Sequence, residues 1–149
     1  MRSLLGRTLV LVSLATPLAA QQATGTRKWA DSLRSLIDVA SVRGDMPGLD
    51  GAIALADRVL TIAPSDPIIQ HYKGFALYRK ANLFMGQNKK DETKAALEEA
   101  NEILEASGKQ LPWPETFALR ASIYGQLIGV DPGPIGARVR VSARRGHDG

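Results

Sequence analysis

The stretch Ala52-Ile53-Ala54-Leu55-Ala56-Asp57-Arg58-Val59-Leu60-Thr61-Ile62-Ala63-Pro64-Ser65-Asp66-Pro67-Ile68-Ile69-Gln70-His71-Tyr72-Lys73-Gly74-Phe75-Ala76-Leu77-Tyr78 decides the architecture. Before the break, Ala52, Ile53, Ala56, Val59 and Leu60 recur at i, i+1, i+4, i+7 and i+8, the stripe of one helix face. Pro64 removes a backbone donor and stops that helix. Asp66-Pro67 restarts the chain with a capping side chain followed by a proline whose fixed φ suits the first helical position. After the break the apolar positions run nearly all round, with Ile68, Ile69, Tyr72, Phe75, Ala76, Leu77, Tyr78, Ala81, Leu83 and Phe84. A helix of that kind is expected to lie between neighbours.

Working outward, the same signals predict five helices over residues 26–43, 49–63, 67–85, 91–107 and 114–129. In the first, Trp29, Leu33, Leu36, Ile37 and Ala40 are expected to pack, while Arg27 with Asp31 and Arg34 with Asp38 form i,i+4 pairs on the other side. Residues 44–48 end the first helix, 86–88 the third, Gly108 the fourth, and Pro112-Trp113-Pro114 opens the fifth. No window alternates apolar and polar residues with the β-branched enrichment of a strand, so the fold class is all-α.

Self-comparison adds order to this list. Ala96, Leu97, Ala100, Ile103 and Leu104 repeat the spacing of Ala52, Ile53, Ala56, Val59 and Leu60 44 residues later, and Phe75-Ala76-Leu77 recurs as Phe117-Ala118-Leu119 after 42. Small residues at matching places let two helices cross closely. In these positions the chain resembles the tetratricopeptide repeat, a helix–turn–helix unit that stacks into a solenoid. Ala52, Ala56 and Val59 fall on the packing positions of the repeat's second helix, Pro64 on its terminal proline, and Gly74 on the small position of the next first helix. Gln70 and Lys73 depart from the pattern, Gly108 replaces a second terminal proline, and about ten extra residues between Phe84 and Thr93 stretch the period. The resemblance spans roughly residues 45–130. It implies an α-α solenoid of two helix pairs plus one unpaired helix. It also implies a concave groove lined by the inner helices, here Ile68, His71, Phe75, Tyr78 and Arg79.

Composition limits the chemistry. Among 149 residues there is no Cys, which excludes disulfides, thiolate nucleophiles and Cys-ligated metals. The net charge of +4 resides at the two ends: residues 1–20 carry +2 and residues 137–149 carry +3, leaving −1 for the body. A body of that charge has no electrostatic footprint for nucleic acid. Residues 1–20 have the layout of a secretory signal: Arg2 and Arg7, an apolar run from Thr8, Pro17 as a helix breaker, and Leu18-Ala19-Ala20 before a cut ahead of Gln21. That run is too short to cross a bilayer. The expected mature protein is periplasmic or secreted and has no stable membrane span.

The two histidines offer little. His71 has no His, Asp or Glu three or four residues away, and His147 lies in the basic end. Glu98, Glu99, Glu102 and Glu105 fit the solvated face of the fourth helix. No nucleophile elbow, Ser-x-x-Lys arrangement or phosphate-binding glycine loop occurs. The expectation is therefore a non-catalytic module without cofactor or metal that binds a protein or peptide partner, with His71, Phe75, Tyr78 and Arg79 as groove candidates. An aromatic and a guanidinium side by side, as in Tyr78-Arg79, suit anchoring of a peptide or carboxylate. The competing expectation is a helical carrier or enzyme accessory domain that holds a small molecule between helices. Residues 131–149 read as a Pro/Gly loop followed by a disordered basic tail, in a shortened member of the family. The fifth helix, left without the second member of its pair, is expected to self-associate.

Overall fold

The computed structural model describes the backbone of residues 16–131 and Gly133, with side chains from Thr26 onward. Five helices follow in order: α1 (Thr16–Arg43), α2 (Met46–Ile62), α3 (Pro67–Gly86), α4 (Lys90–Gln110) and α5 (Pro114–Val130). Among the described residues there is no strand, and no helix is long and apolar enough to cross a membrane. The fold class is all-α, as the periodicity predicts.

The boundaries follow from capping chemistry. Asp66 accepts hydrogen bonds from the N–H groups of Ile68 and Ile69, both at 3.0 Å, and Pro67 takes the first helical position. Asp45 caps α2 in the same way, accepting from Gly48 N–H at 3.1 Å, so α2 starts at Met46 and not at Leu49. Gly44, at φ +64°, reverses the chain after α1, and the Asp45 N–H closes back on the Ala40 carbonyl at 2.8 Å. Asn88 does the same after α3 at φ +58°, with Lys89 N–H bonded to the Phe84 carbonyl at 3.0 Å. Both are helix stops in which a left-handed residue satisfies the orphan carbonyls.

Three expectations need correction. The first helix begins at Thr16, ten residues before Thr26, so its backbone continues through the expected cut at Ala20. Pro17 occupies its second position, where a missing N–H costs nothing, and does not break it. Helix α4 passes through Gly108 to Gln110. Within α1, Trp29 and Leu36 are each 46% exposed, and Ala30 joins Leu33, Ile37 and Ala40 in the core. Residues 1–15 and 134–149, which include most of the expected signal and basic tail, lie outside the described residues, as does His147.

The core forms two linked clusters. One gathers Leu33, Ile37, Leu49, Ala52, Ala56 and Ile69 from α1, α2 and α3. The other gathers Leu77, Ala81, Leu97, Ala100, Leu104 and Ile123 from α3, α4 and α5. Ile53 packs against both. Each helix packs on its sequence neighbours, and α3 also touches α1 and α5, so α3 meets all four others. Its all-round apolar character is thereby used. The repeated small positions lie where the spacing places them: Ala52, Ala56, Ala96 and Ala100 are all buried. Gly74 faces Leu104 so closely that a Cβ there would stand 2.5 Å from the Leu104 Cγ. Lys73, which departs from the repeat pattern, bridges outward from α3 to Asp57 of α2 at 2.7 Å and Glu99 of α4 at 3.9 Å.

Candidate functional site

The odd-numbered helices share one face, and on it lies an open groove of about 530 Å³. Helix α1 contributes Arg34 and Asp38, α3 contributes His71, Tyr72 and Phe75, and α5 with its N-cap contributes Trp113, Glu115, Ala118, Leu119 and Ser122. Each side chain is placed by its helix. His71 and Phe75 are one turn apart on α3, and Glu115, Ala118, Leu119 and Ser122 follow the i, i+3, i+4, i+7 face of α5. Trp113 is positioned by the flanking Pro112 and Pro114, with Pro114 starting the helix.

His71 forms the floor. It is 7% exposed, and its Nδ1 lies 2.8 Å from the hydroxyl oxygen of Thr116, which is fully buried. Its ring stands 4.6 Å from that of Trp113 and edge-on to Tyr72 at 5.3 Å. Burial lowers the His71 pKa below its ordinary value, with Glu115 opposing weakly, so the imidazole is neutral at pH 7. The Tyr72 hydroxyl is shifted up, first by burial. Among nearby charges Arg34 pulls it down, while Asp31, Asp38 and Glu115 push it up. The rim of the groove therefore carries more negative than positive charge. Arg34 and Asp38 face each other across one turn at 3.9 Å, both well exposed.

Of the four candidates from the sequence, His71 and Phe75 line the groove. Tyr78 and Arg79 continue the same face of α3 but serve as ties between helices. Arg79 donates through Nε to the Ser41 hydroxyl of α1 at 2.9 Å, with its guanidinium carbon 6.0 Å from the centre of the Phe75 ring. The Tyr78 hydroxyl accepts from Gln126 Nε2 of α5 at 3.3 Å. Ile68 packs against the first core cluster. The residues missed by sequence reasoning are Arg34, Asp38, Tyr72, Trp113, Glu115 and Thr116. Trp113 carried a signal, since it lies between two prolines at a helix start, and it is partly buried. Thr116 carried none, because its pairing with His71 spans 45 residues.

The acidic face of α4 is solvated and partly tied. Glu105 bonds Lys109 at 2.6 Å and Arg120 of α5 at 3.0 Å. Among the described residues no group of three His, Asp or Glu side chains could hold a metal ion. Chemically, the groove offers an aromatic and aliphatic floor, a neutral imidazole whose Nδ1 is engaged by Thr116, and a rim of carboxylates with one guanidinium. Compared with protein-family models, with curated proteins and with solved structures, the chain matches none.

Proposed function

We propose that this chain is an exported, non-catalytic binding module of the cell envelope, a tetratricopeptide-like solenoid that holds a peptide segment of a protein partner. The observation that carries this reading is the groove shared by α1, α3 and α5. An inner face built by alternate helices, with half-buried aromatics exposed to solvent along it, suits an extended chain. A site for small molecules buries most of its ligand's surface, whereas this groove is open to solvent.

The order of the backbones supports the same reading, since among the described residues no Cα of α1 or α2 lies within 8 Å of a Cα of α4 or α5. Nearest-neighbour packing of this kind is the organisation of a repeat stack. A second interaction belongs to the same proposal. The outer face of α5 leaves Phe117, Tyr124 and Ile128 each about half exposed, at 48%, 47% and 51%. With Ala121 they form one stripe at i, i+4, i+7 and i+11, which suits weak self-association.

Panning the full chain against a displayed library of random peptides tests the groove. Selected peptides should bind through Phe75 and Trp113, with Phe75→Ala and Trp113→Ala each weakening them about tenfold or more, since interface aromatics act as anchors. A substitution on the far side of α2, such as Arg58→Ala, should change nothing. Failure to select any peptide, or selection of peptides indifferent to both aromatic substitutions, would sink the proposal.

A further inference from the structure

The hydrogen-bonding polarity of the groove floor follows from one buried pair. His71 is neutral at pH 7, so its ring carries a single N–H, and Thr116 decides on which nitrogen. Thr116 is fully buried, and its hydroxyl has no side-chain partner but His71 Nδ1 among the described residues. Were Nδ1 the donor, the hydroxyl hydrogen would be buried without an acceptor, which is costly. The hydroxyl therefore donates to Nδ1, and the imidazole hydrogen sits on Nε2.

That N–H opens into the groove. Nε2 has no partner among the described residues, and the polar side-chain atom among them that is both unpartnered and sealed from solvent is Gln126 Oε1. His71 is only 7% exposed, and the opening it borders is the groove. The ring is thus more than nine-tenths buried and shows its N–H edge to whatever lies there. Beside it, the indole N–H of Trp113 and the hydroxyl of Tyr72 form no hydrogen bond with any described residue; the two rings touch His71 instead.

All three groups donate, and the imidazole and indole N–H groups do nothing else. They lie among the aromatic faces of Tyr72, Phe75 and Trp113. No charge lies on this floor, and on the rim Arg34 and Asp38 face each other at 3.9 Å. An ordinary extended peptide brings one main-chain N–H for every carbonyl, and each must be paired when it is buried. The floor answers with one acceptor, the Tyr72 hydroxyl. Proline brings carbonyls without N–H groups. A proline run stands in the polyproline II helix, which makes no internal hydrogen bonds and leaves its carbonyls free for a partner. Grooves lined with aromatic side chains hold such segments.

We propose that the groove takes an uncharged, proline-rich segment of its partner in polyproline II conformation, a reading that rests on the groove being a peptide site. His71 Nε2–H donates to a main-chain carbonyl of that segment, and Thr116 is the positioning residue that keeps the hydrogen on Nε2.

The test uses the full chain carrying Trp29→Phe and His147→Gln, which leaves Trp113 the sole indole and His71 the sole imidazole. With 15N-labelled histidine, long-range proton–nitrogen spectra at pH 7.5 should show a protonated Nε2 and an unprotonated Nδ1. An acetylated and amidated decaproline peptide should change Trp113 fluorescence saturably and shift the Nε2 resonance. A Gly-Ser peptide of the same length and carbonyl count should bind about tenfold more weakly, because it is not preorganised and its N–H groups go unpaired. His71→Phe should weaken decaproline about five- to tenfold, the effect of one hydrogen bond, and His71→Gln, which keeps an N–H donor, should recover most of that loss. A hydrogen found on Nδ1 would overturn the inference whether or not the variants fold. So would decaproline that binds no tighter than the Gly-Ser peptide, or that binds His71→Phe undiminished. Library peptides that bind through Phe75 and Trp113 with no preference for proline would refute this inference and leave the peptide-site reading intact. No response of Trp113 to library peptides or to decaproline would sink both.

Discussion

Gly74→Ala and Gly51→Ala are the same chemical change in two helices, and the structure gives them opposite signs. At Gly51, inside α2, nothing lies within 4 Å of the position a Cβ would take. The substitution there gains helix propensity alone, about 0.5–1 kcal/mol of stability. At Gly74, inside α3, the new methyl would stand 2.5 Å from Leu104 Cγ and 2.8 Å from Cδ2. Cγ is the branch point of a fully buried side chain and not a free end, so α3 and α4 must part or Leu104 must leave its rotamer. Overpacking of that kind costs about 1–3 kcal/mol. Set against the propensity gain, Gly74→Ala should destabilise by about 1 kcal/mol, roughly 3–6 °C in Tm for a domain of this size. The mechanism predicts a reversal. Leu104→Ala alone should cost about 2–5 kcal/mol through the cavity it leaves. In that background, where Cγ and both Cδ atoms are gone, Gly74→Ala should stabilise by about 1 kcal/mol. Urea denaturation followed by far-ultraviolet circular dichroism on the four variants and wild type, with unchanged m-values, reads the cycle. If Gly74→Ala stabilises the wild-type chain as Gly51→Ala does, the close crossing of α3 and α4 is refuted.

The depressed pKa of His71 means that the folded state resists a proton that the unfolded state takes up. Its contribution to stability is thus complete above about pH 6.5 and lost as pH falls below it. Thermal melts between pH 7.5 and 5.5 should show this decline, and His71→Gln should flatten it. Thr116→Val leaves the buried Nδ1 without its partner and should cost about 1–3 kcal/mol. Ile128→Lys on the outer face of α5 should abolish concentration-dependent association in sedimentation experiments without lowering Tm, because Ile128 is 51% exposed. Protein recovered from the envelope of an expressing cell should begin at Gln21. Removal of the preceding residues should leave the described core intact, since among the described residues the first buried one is Ala30; N-terminal sequencing that finds Met1 would contradict export.

What was legible in the sequence was local and periodic. Asp66-Pro67 announced a helix start because cap and proline act within three residues, and Ala52, Ala56, Ala96 and Ala100 announced the crossings because burial follows the 3.6-residue period. Asp45 is a cap like Asp66, yet Gly44 and Pro47 around it read as a loop, which puts the predicted start of α2 three residues late. Gly108 reads as a helix stop, but in the structure α4 continues through it and it admits the Phe117 ring, whose Cε1 would be 3.5 Å from a Cβ at that position. The half-exposure of Trp29 and Leu36 was not readable, because one stripe does not say how much of it a neighbour covers. In the candidate site, His71 and Phe75 came from the groove positions that the resemblance to the repeat implies, and the structure places both on the groove. Asp38, Trp113 and Glu115 were not, because they meet that face only through the packing of α1 and α5 against α3, and the angle of that packing is not encoded in any single segment.

The backbones of α1 and α5 nowhere approach each other: no Cα of one lies within 8 Å of a Cα of the other among the described residues. Yet both contribute walls to the same groove. Any chain seated there joins the first helix to the last through contacts the protein does not otherwise make. In a stack held by neighbours alone, the ends fray independently and the middle opens last. An occupant at a hundred times its Kd adds about 2.7 kcal/mol to whatever state holds all three walls together. That increment falls on the end helices, whose amide hydrogens should exchange faster than those of α3 in the empty protein. Occupancy would thus couple the two end helices and make the five helices behave as one cooperative unit.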